Sequence, residues 1–204
     1  MVRDSAGGAI DHVLAERTRN AGARETDLVV GARAGDRVAF DLLMAERIEP
    51  AFRTAMAILG HEADARDATQ EVFVRAWRQL RSLRDVERFD AWFGRILVNT
   101  CRSALRRRYR SQVREIPAGA LTGSHHPASR SEDQFEEHAA EAELLERAFE
   151  RLAADERALL VLHHLERRPV TAIAAILGIP EGTAKSRLHA ARRALERAIE
   201  VEHR

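Results

Sequence analysis

Cysteine occurs once in this chain, at Cys101, so no internal disulfide can tie the fold together and stability has to come from packing. Aromatic residues are scarce, with seven Phe, two Trp and one Tyr among 204 residues, and β-branched residues are thin beside Ala, Leu, Arg and Glu. This balance lacks the usual ingredients of a sheet and predicts an all-α fold. Long apolar runs are missing as well. Stretches such as ALLVL, Ala158 to Leu162, fall far short of the ~20 residues a membrane span needs, so no membrane insertion is expected. The N-terminus has neither the basic start nor the apolar stretch of a secretory leader, and a cytoplasmic location is expected.

What is present is the composition of a globular protein, 45% apolar and 32% charged, long enough for one large domain or two small ones. The formal net charge of +1 says little about partners, because it sums segments of opposite sign. Residues 1–26 mix glycine, single charges and few large apolar groups, and read as a loose extension. Over 27–110 apolar residues recur at helical spacing, interrupted at Gly35, Pro50, Gly60 and the polar stretch Arg81 to Asp85, which predicts a bundle of about four helices. Residues 111–138, with Pro117, Gly119, Gly123, Pro127 and several serines, have the composition of a flexible linker. Its second half is acidic: Glu132, Asp133, Glu136 and Glu137 lead into Glu141, Glu143 and Glu146 with no Lys or Arg among them. A second helical block fills 139–204, so the expected architecture is two small helical domains joined by a flexible acidic linker.

Acid is absent where it would be most useful. Between Arg95 and Arg114 stand seven Arg and no carboxylate to pair with them. On a helix at 100° per residue, AWFGRILVNTCRSALRRR places Phe93, Ile96, Leu97, Thr100 and Ala104 on one face, with Cys101 at its border. Arg95, Asn99, Arg102 and Arg106 align on the other at i, i+4, i+7 and i+11. Unpaired like charges repel, and a phosphate backbone would relieve them, while Asn99 can also hydrogen-bond a base edge. Trp77 fits a buried face with Ala68, Val72, Phe73, Ala76 and Leu80. Phe89 and Trp92 precede the stripe and could stack unpaired bases, with Arg81 to Arg88 as the rim of a base pocket.

The helix before it, DARDATQEVFVRAW, exposes Asp64, Asp67, Gln70 and Glu71. First-turn acids favour a helix dipole, but that does not account for Gln70, and a basic partner helix would use all four. In the second block, VTAIAAILGIPEGTAKSRLHAARRALERAI reads as two helices around a tight turn. Thr171 can cap the first, Gly178 can end it in the left-handed conformation, and Pro180 can start the next. Ile173, Leu177, Ile179, Ala184, Leu188, Ala191 and Leu195 would share a core, with small Ala174 allowing a close crossing. This is a helix-turn-helix pattern, whose second helix enters a major groove. On that helix Lys185, His189 and Arg192 align outward, with Ser186 beside them.

A basic stripe, a helix-turn-helix and an acidic link together resemble a bacterial sigma factor of the sigma-70 family, in its extracytoplasmic-function (ECF) group. DARDATQEVFVRAW is similar to region 2.2, FDAWFGRILVNTCRSALRRR to regions 2.3 and 2.4, and LAADERALLVLHHLERRPVTAIAAILGIPEGTAKSRLHAARRAL to region 4. The resemblance implies promoter-directed transcription initiation on core RNA polymerase. Asp64, Asp67, Gln70 and Glu71 would dock on the beta-prime coiled coil. Trp92, Arg95, Asn99, Arg102 and Arg106 would open and hold the minus-10 DNA strand. Lys185, Ser186, His189 and Arg192 would read the minus-35 duplex, with the second domain on the beta flap and the linker toward the RNA exit path. An anti-sigma factor is a further implied partner. Ala172, Ala190 and Val98 depart from residues common in the family, Glu, Arg and Arg respectively.

Three rival readings make different demands. A stand-alone helix-turn-helix regulator binding duplex DNA has no use for the separate Arg stripe. A metal enzyme would draw on the nine His, but His125 with His126 and His163 with His164 are adjacent pairs about 100° apart on a helix, poor geometry for one ion. No metal, no cofactor and no catalysis are therefore expected. A pure interaction module would bind without the steep salt dependence of a nucleic-acid partner.

Overall fold

The computed structural model describes residues 22–114 and 134–203, and among these every regular element is helical. The loose extension up to residue 21 and the linker residues 115–133, Glu132 and Asp133 included, lie outside the described residues. Helix α1 covers 22–34 and ends at Gly35, whose φ of 103° suits only a residue without a side chain. Asp36 then caps α2, Arg37–Ala45, accepting from the Val38 and Ala39 amides at 2.8 and 3.2 Å. Helix α3 spans Ile48–Leu59, so Pro50 does not interrupt the bundle. It sits in the first turn, where a missing amide hydrogen costs nothing, and the break falls instead at Arg47. Gly60 closes α3 at φ 68°, α4 follows over Glu62–Gln79, and two single 3₁₀ turns, Leu80–Ser82 and Val86–Arg88, lead into α5, Phe89–Arg114.

The second block holds α6, Gln134–Glu150, α7, Ala154–Leu160, α8, Val170–Leu177, and α9, Glu181–Glu202. Helices α5 and α6 thus both reach into the span read as linker. Between α7 and α8 the chain widens into one turn over Val161–Leu165, closed by the Glu166 amide on the Val161 carbonyl at 3.0 Å, and Arg167 turns it at φ 53°. The helix-turn-helix forms where the sequence puts it, with Gly178 left-handed at φ 67°. Thr171 is not the cap: α8 starts at Val170 behind Pro169, and Pro180 likewise stands just before the first residue of α9.

The two blocks do not have separate cores. Val29, Leu43, Ile58, Leu59, Val72, Phe89 and Phe93 of the first pack in one continuous apolar cluster with Leu159, Leu162, Ile173, Ile176 and Leu188 of the second. Ile176 is 1% exposed, and burying such a side chain contributes about 1.5–3 kcal/mol. Its neighbour is Gly94 of α5, where an added Cβ would lie 3.1 and 3.2 Å from Ile176 side-chain carbons. A glycine in a helix interior costs helix propensity, and here it lets α8 lie against α5.

Candidate nucleic-acid interface

Helix α5 is buried more widely than an amphipathic helix on a lone bundle. Phe93, Ile96, Leu97, Thr100 and Cys101 are buried, and so is Val98. The Cys101 thiol is fully covered and burial pushes it up to about 12, which leaves it protonated and unreactive. Thr100 satisfies its hydroxyl on the Ile96 carbonyl at 2.8 Å.

The stripe on the outer face divides into two kinds of residue. Asn99 and Arg106 are exposed; the Asn99 side chain accepts a long 3.4 Å bond from Arg102, and Arg106 donates to Ser103 at 3.0 Å. Arg95, although exposed, and Arg102 bond to the second block. Arg95 donates from Nη2 to the Ala175 carbonyl at 2.7 Å and from Nε to the Ile176 carbonyl at 3.1 Å. The Gly178 and Ile179 amides both turn to Ala174, so these two carbonyls have no capping amide at the negative end of α8. Arg102, with a side chain only 15% exposed, pairs with Asp155 at 2.6 Å. The stripe is therefore not without acid: Asp155 of α7 meets Arg102, and Asp64 of α4 lies 3.7 Å from Arg108.

The aromatics sort differently from the sequence reading. Trp77 is 40% exposed, edge-on to Phe40 and under the Arg37 guanidinium, and so is a surface residue rather than core. Phe89 is 2% exposed between Trp92, Phe93 and the Arg47 guanidinium, which removes it as a platform for bases. Trp92 keeps partial exposure. Beside it, Arg81, Ser82, Arg84, Asp85, Glu87 and Arg88 are exposed. Arg33 of α1 fixes the backbone of this loop by donating to the Leu83 and Arg84 carbonyls at 3.2 and 3.3 Å.

On α4, Asp67, Gln70 and Glu71 are exposed and Asp64 is half-buried. Glu71 also pairs with Arg75 at 2.7 Å. On α9, Lys185, Ser186, His189 and Arg192 all face solvent, opposite buried Ala184, Leu188 and Ala191. Lys185 pairs with Glu181 at 2.7 Å, Ser186 donates to Thr183, and Arg192 donates to His164 Nε2 at 3.3 Å. Partial burial, then His163 and Arg192, hold the His164 imidazole below its ordinary value, consistent with a neutral ring accepting from Arg192.

The sequence-based reading missed the residues that join the blocks. Asp90 accepts from Arg47 at 2.8 Å and from Arg168, whose Nε donates to Glu166 at 2.6 Å, while Thr54 bonds Glu166 in turn. Buried Arg157 donates to the Ile58 carbonyl of α3 at 3.3 Å. Gly94, a glycine inside a helical pattern, was the one signal in the sequence for such a contact.

Comparison with known proteins decides the family. Sigma-70 region 2 matches residues 44–111, and Sigma-70, region 4 matches residues 142–195. The RNA polymerase sigma-E factor of Streptomyces antibioticus is 31% identical over 167 residues, 82% of this chain and 88% of that protein. The ECF RNA polymerase sigma factor SigM of Mycobacterium tuberculosis is 32% identical over 175 residues, 86% of this chain and 84% of that one. The chain belongs to the ECF group of the sigma-70 family. It is a sigma factor that directs transcription initiation from promoters, and nothing among these relatives favours a stand-alone regulator. In fold it is similar to CnrH, solved in complex with the cytosolic domain of CnrY, at 26% identity and a TM-score of 0.60 over 87% of this chain and 98% of that one. No described helix is long and apolar enough to cross a membrane.

Proposed function

We propose that the two domains of this sigma factor, about residues 27–110 and 139–204, divide promoter reading between them. Asn99, Arg102 and Arg106 of α5, with Arg95 and Trp92, open the minus-10 element and hold one strand. Lys185, Ser186, His189 and Arg192 of α9 read the minus-35 element as duplex, each within reach of a base edge or phosphate in a major groove. The observation that carries this reading is the exposed polar groups, Asn99 and Arg106 on α5 and Lys185, Ser186, His189 and Arg192 on α9, each set opposite buried apolar side chains.

Asp64, Asp67, Gln70 and Glu71 dock on the beta-prime coiled coil and the second domain on the beta flap. The chain supplies no chemistry of its own: it recruits polymerase, places two DNA elements, traps unstacked bases and leaves. It acts in the cytoplasm, where polymerase and promoter meet. An anti-sigma factor is a further partner, in keeping with CnrH being solved with the cytosolic domain of CnrY.

Transcription in vitro from a pool of promoter fragments tests this. With core polymerase, the intact protein is expected to give transcripts from a few shared start sites, and Asn99→Ala with Arg95→Ala to lose them. Duplex binding without any binding to core polymerase would refute the assignment.

A further inference from the structure

Of the four α9 side chains proposed to read the minus-35 duplex, Arg192 is held from outside its own helix. Lys185 pairs with Glu181 and Ser186 donates to Thr183, both inside α9, whereas Arg192 Nε donates to His164 Nε2 at 3.3 Å. His164 stands in the widened turn over Val161–Leu165, between α7 and α8. Wide turns of this kind alter the direction in which successive side chains project, and they occur often at functional sites. Here the turn sets two imidazoles together. The His163 ring lies edge-on to the His164 ring, with 4.8 Å between centroids and 83° between planes, and its Nδ1 bonds to the Arg168 carbonyl at 3.3 Å. A carbonyl only accepts, so His163 Nδ1 is the donor. Arg168 is fixed in turn by its amide on the Leu162 carbonyl at 3.0 Å and by its side chain on Glu166 at 2.6 Å. The acceptor that meets Arg192 is therefore braced from behind.

We propose that His164 is a positioning residue for minus-35 reading: it holds the Arg192 guanidinium by Nε, leaves the terminal nitrogens free for the duplex, and so sets how sharply one base is discriminated. The inference rests on reading α9 as the minus-35 helix. With Nε given to His164, Nη1 and Nη2 remain as an end-on fork that matches the two acceptors of a guanine, O6 and N7. Both residues are exposed, so the bond adds little to the core; what it removes is rotamer freedom. A loose arginine becomes immobilised when it meets the right base, and that ordering lowers discrimination, whereas an arginine already held has less freedom left to lose. The ring has to be neutral to accept, and partial desolvation, then His163 and Arg192, favour that form. A histidine that simply met a phosphate would strengthen binding to every sequence alike, but one that positions a reader acts at one base pair.

Holoenzyme assembled from core polymerase and the full chain tests this on a promoter randomised across its minus-35 element, with the bound DNA sequenced. Arg192→Ala should flatten the preference at one position, expected to be a guanine, by about fivefold or more. His164→Ala should weaken the preference at that same position by about two- to tenfold, the range set by ordering one long side chain, and leave the other positions as in the parent. His164→Gln, whose amide oxygen can accept in place of Nε2, should restore it; His164→Phe, a ring with no acceptor, should not.

Preference kept in His164→Ala but lost in Arg192→Ala would overturn the positioning role and leave the minus-35 reading standing. A loss spread evenly over all sequences, or a His164→Phe protein as selective as the parent, would overturn it too. Full preference at every position in Arg192→Ala would remove Arg192 as a reader and the inference with it.

Discussion

Asp90 shows how much one residue carries here. It sits in the first turn of α5, where a carboxylate favours the helix dipole, and it accepts from Arg47, which also bonds Glu25, and from Arg168, which also bonds Glu166. Burial works against its charge, yet the hydrogen bonds from Arg168 and Arg47 prevail and hold its carboxyl below the ordinary 3.8. A carboxyl depressed in the folded state contributes stability above its unfolded value and loses that contribution as pH falls through its folded one. Asp90→Asn should therefore cost about 1 kcal/mol at pH 7, a figure kept small because the side chain is 45% exposed. The variant should also lose less stability than the parent as the pH is lowered from 4 to 3, below the ordinary carboxyl value. Urea unfolding at the three pH values checks both, and parallel acid profiles would remove Asp90 from the junction.

Among the elements, the helix-turn-helix was the most legible and α5 the least complete. Gly178, Pro180 and the apolar register of α8 and α9 are local signals, so the turn and the outward face of Lys185, His189 and Arg192 could be read directly. Pro50 and Thr171 misled because proline tolerates a first turn and because Pro169, not threonine, precedes α8. The aromatic assignments failed for a different reason. Periodicity places a side chain on a face but does not say what covers that face: Arg47 and Trp92 help bury Phe89, whereas Phe40 and Arg37 leave Trp77 40% exposed. A prediction belongs to the α8 turn itself. Gly178 has φ 67°, and a Cβ there would meet Arg95 at 3.2 Å, so Gly178→Ala should destabilise the protein by about 1–2 kcal/mol. A melting temperature unchanged from the parent would contradict that.

At the scale of the molecule, composition and period were enough for an all-α chain of two domains, since Ala, Leu, Arg and Glu at helical spacing leave few alternatives. The joining of those domains was not legible, because Asp90 and Arg168 stand 78 positions apart and Arg102 meets Asp155 only once both blocks are folded. The seven arginines have no acid in their own segment, but the fold brings Asp155 to Arg102 and the Ala175 carbonyl to Arg95 from the second block, which the segment alone could not show. The guanidinium groups proposed for a phosphate backbone thus also bond to the chain's own second domain.

Permanganate footprinting of a promoter complex tests that face most directly, because the reagent marks thymines that have lost their partners. With core polymerase and the intact sigma factor, reactive thymines should appear within the minus-10 element. Asn99→Ala, which retains the Arg95 and Arg102 side chains that bond to the second domain, should abolish most of that reactivity while protection of the minus-35 duplex remains. Full minus-10 reactivity in the Asn99→Ala complex would contradict the assignment of α5 as the strand-holding helix.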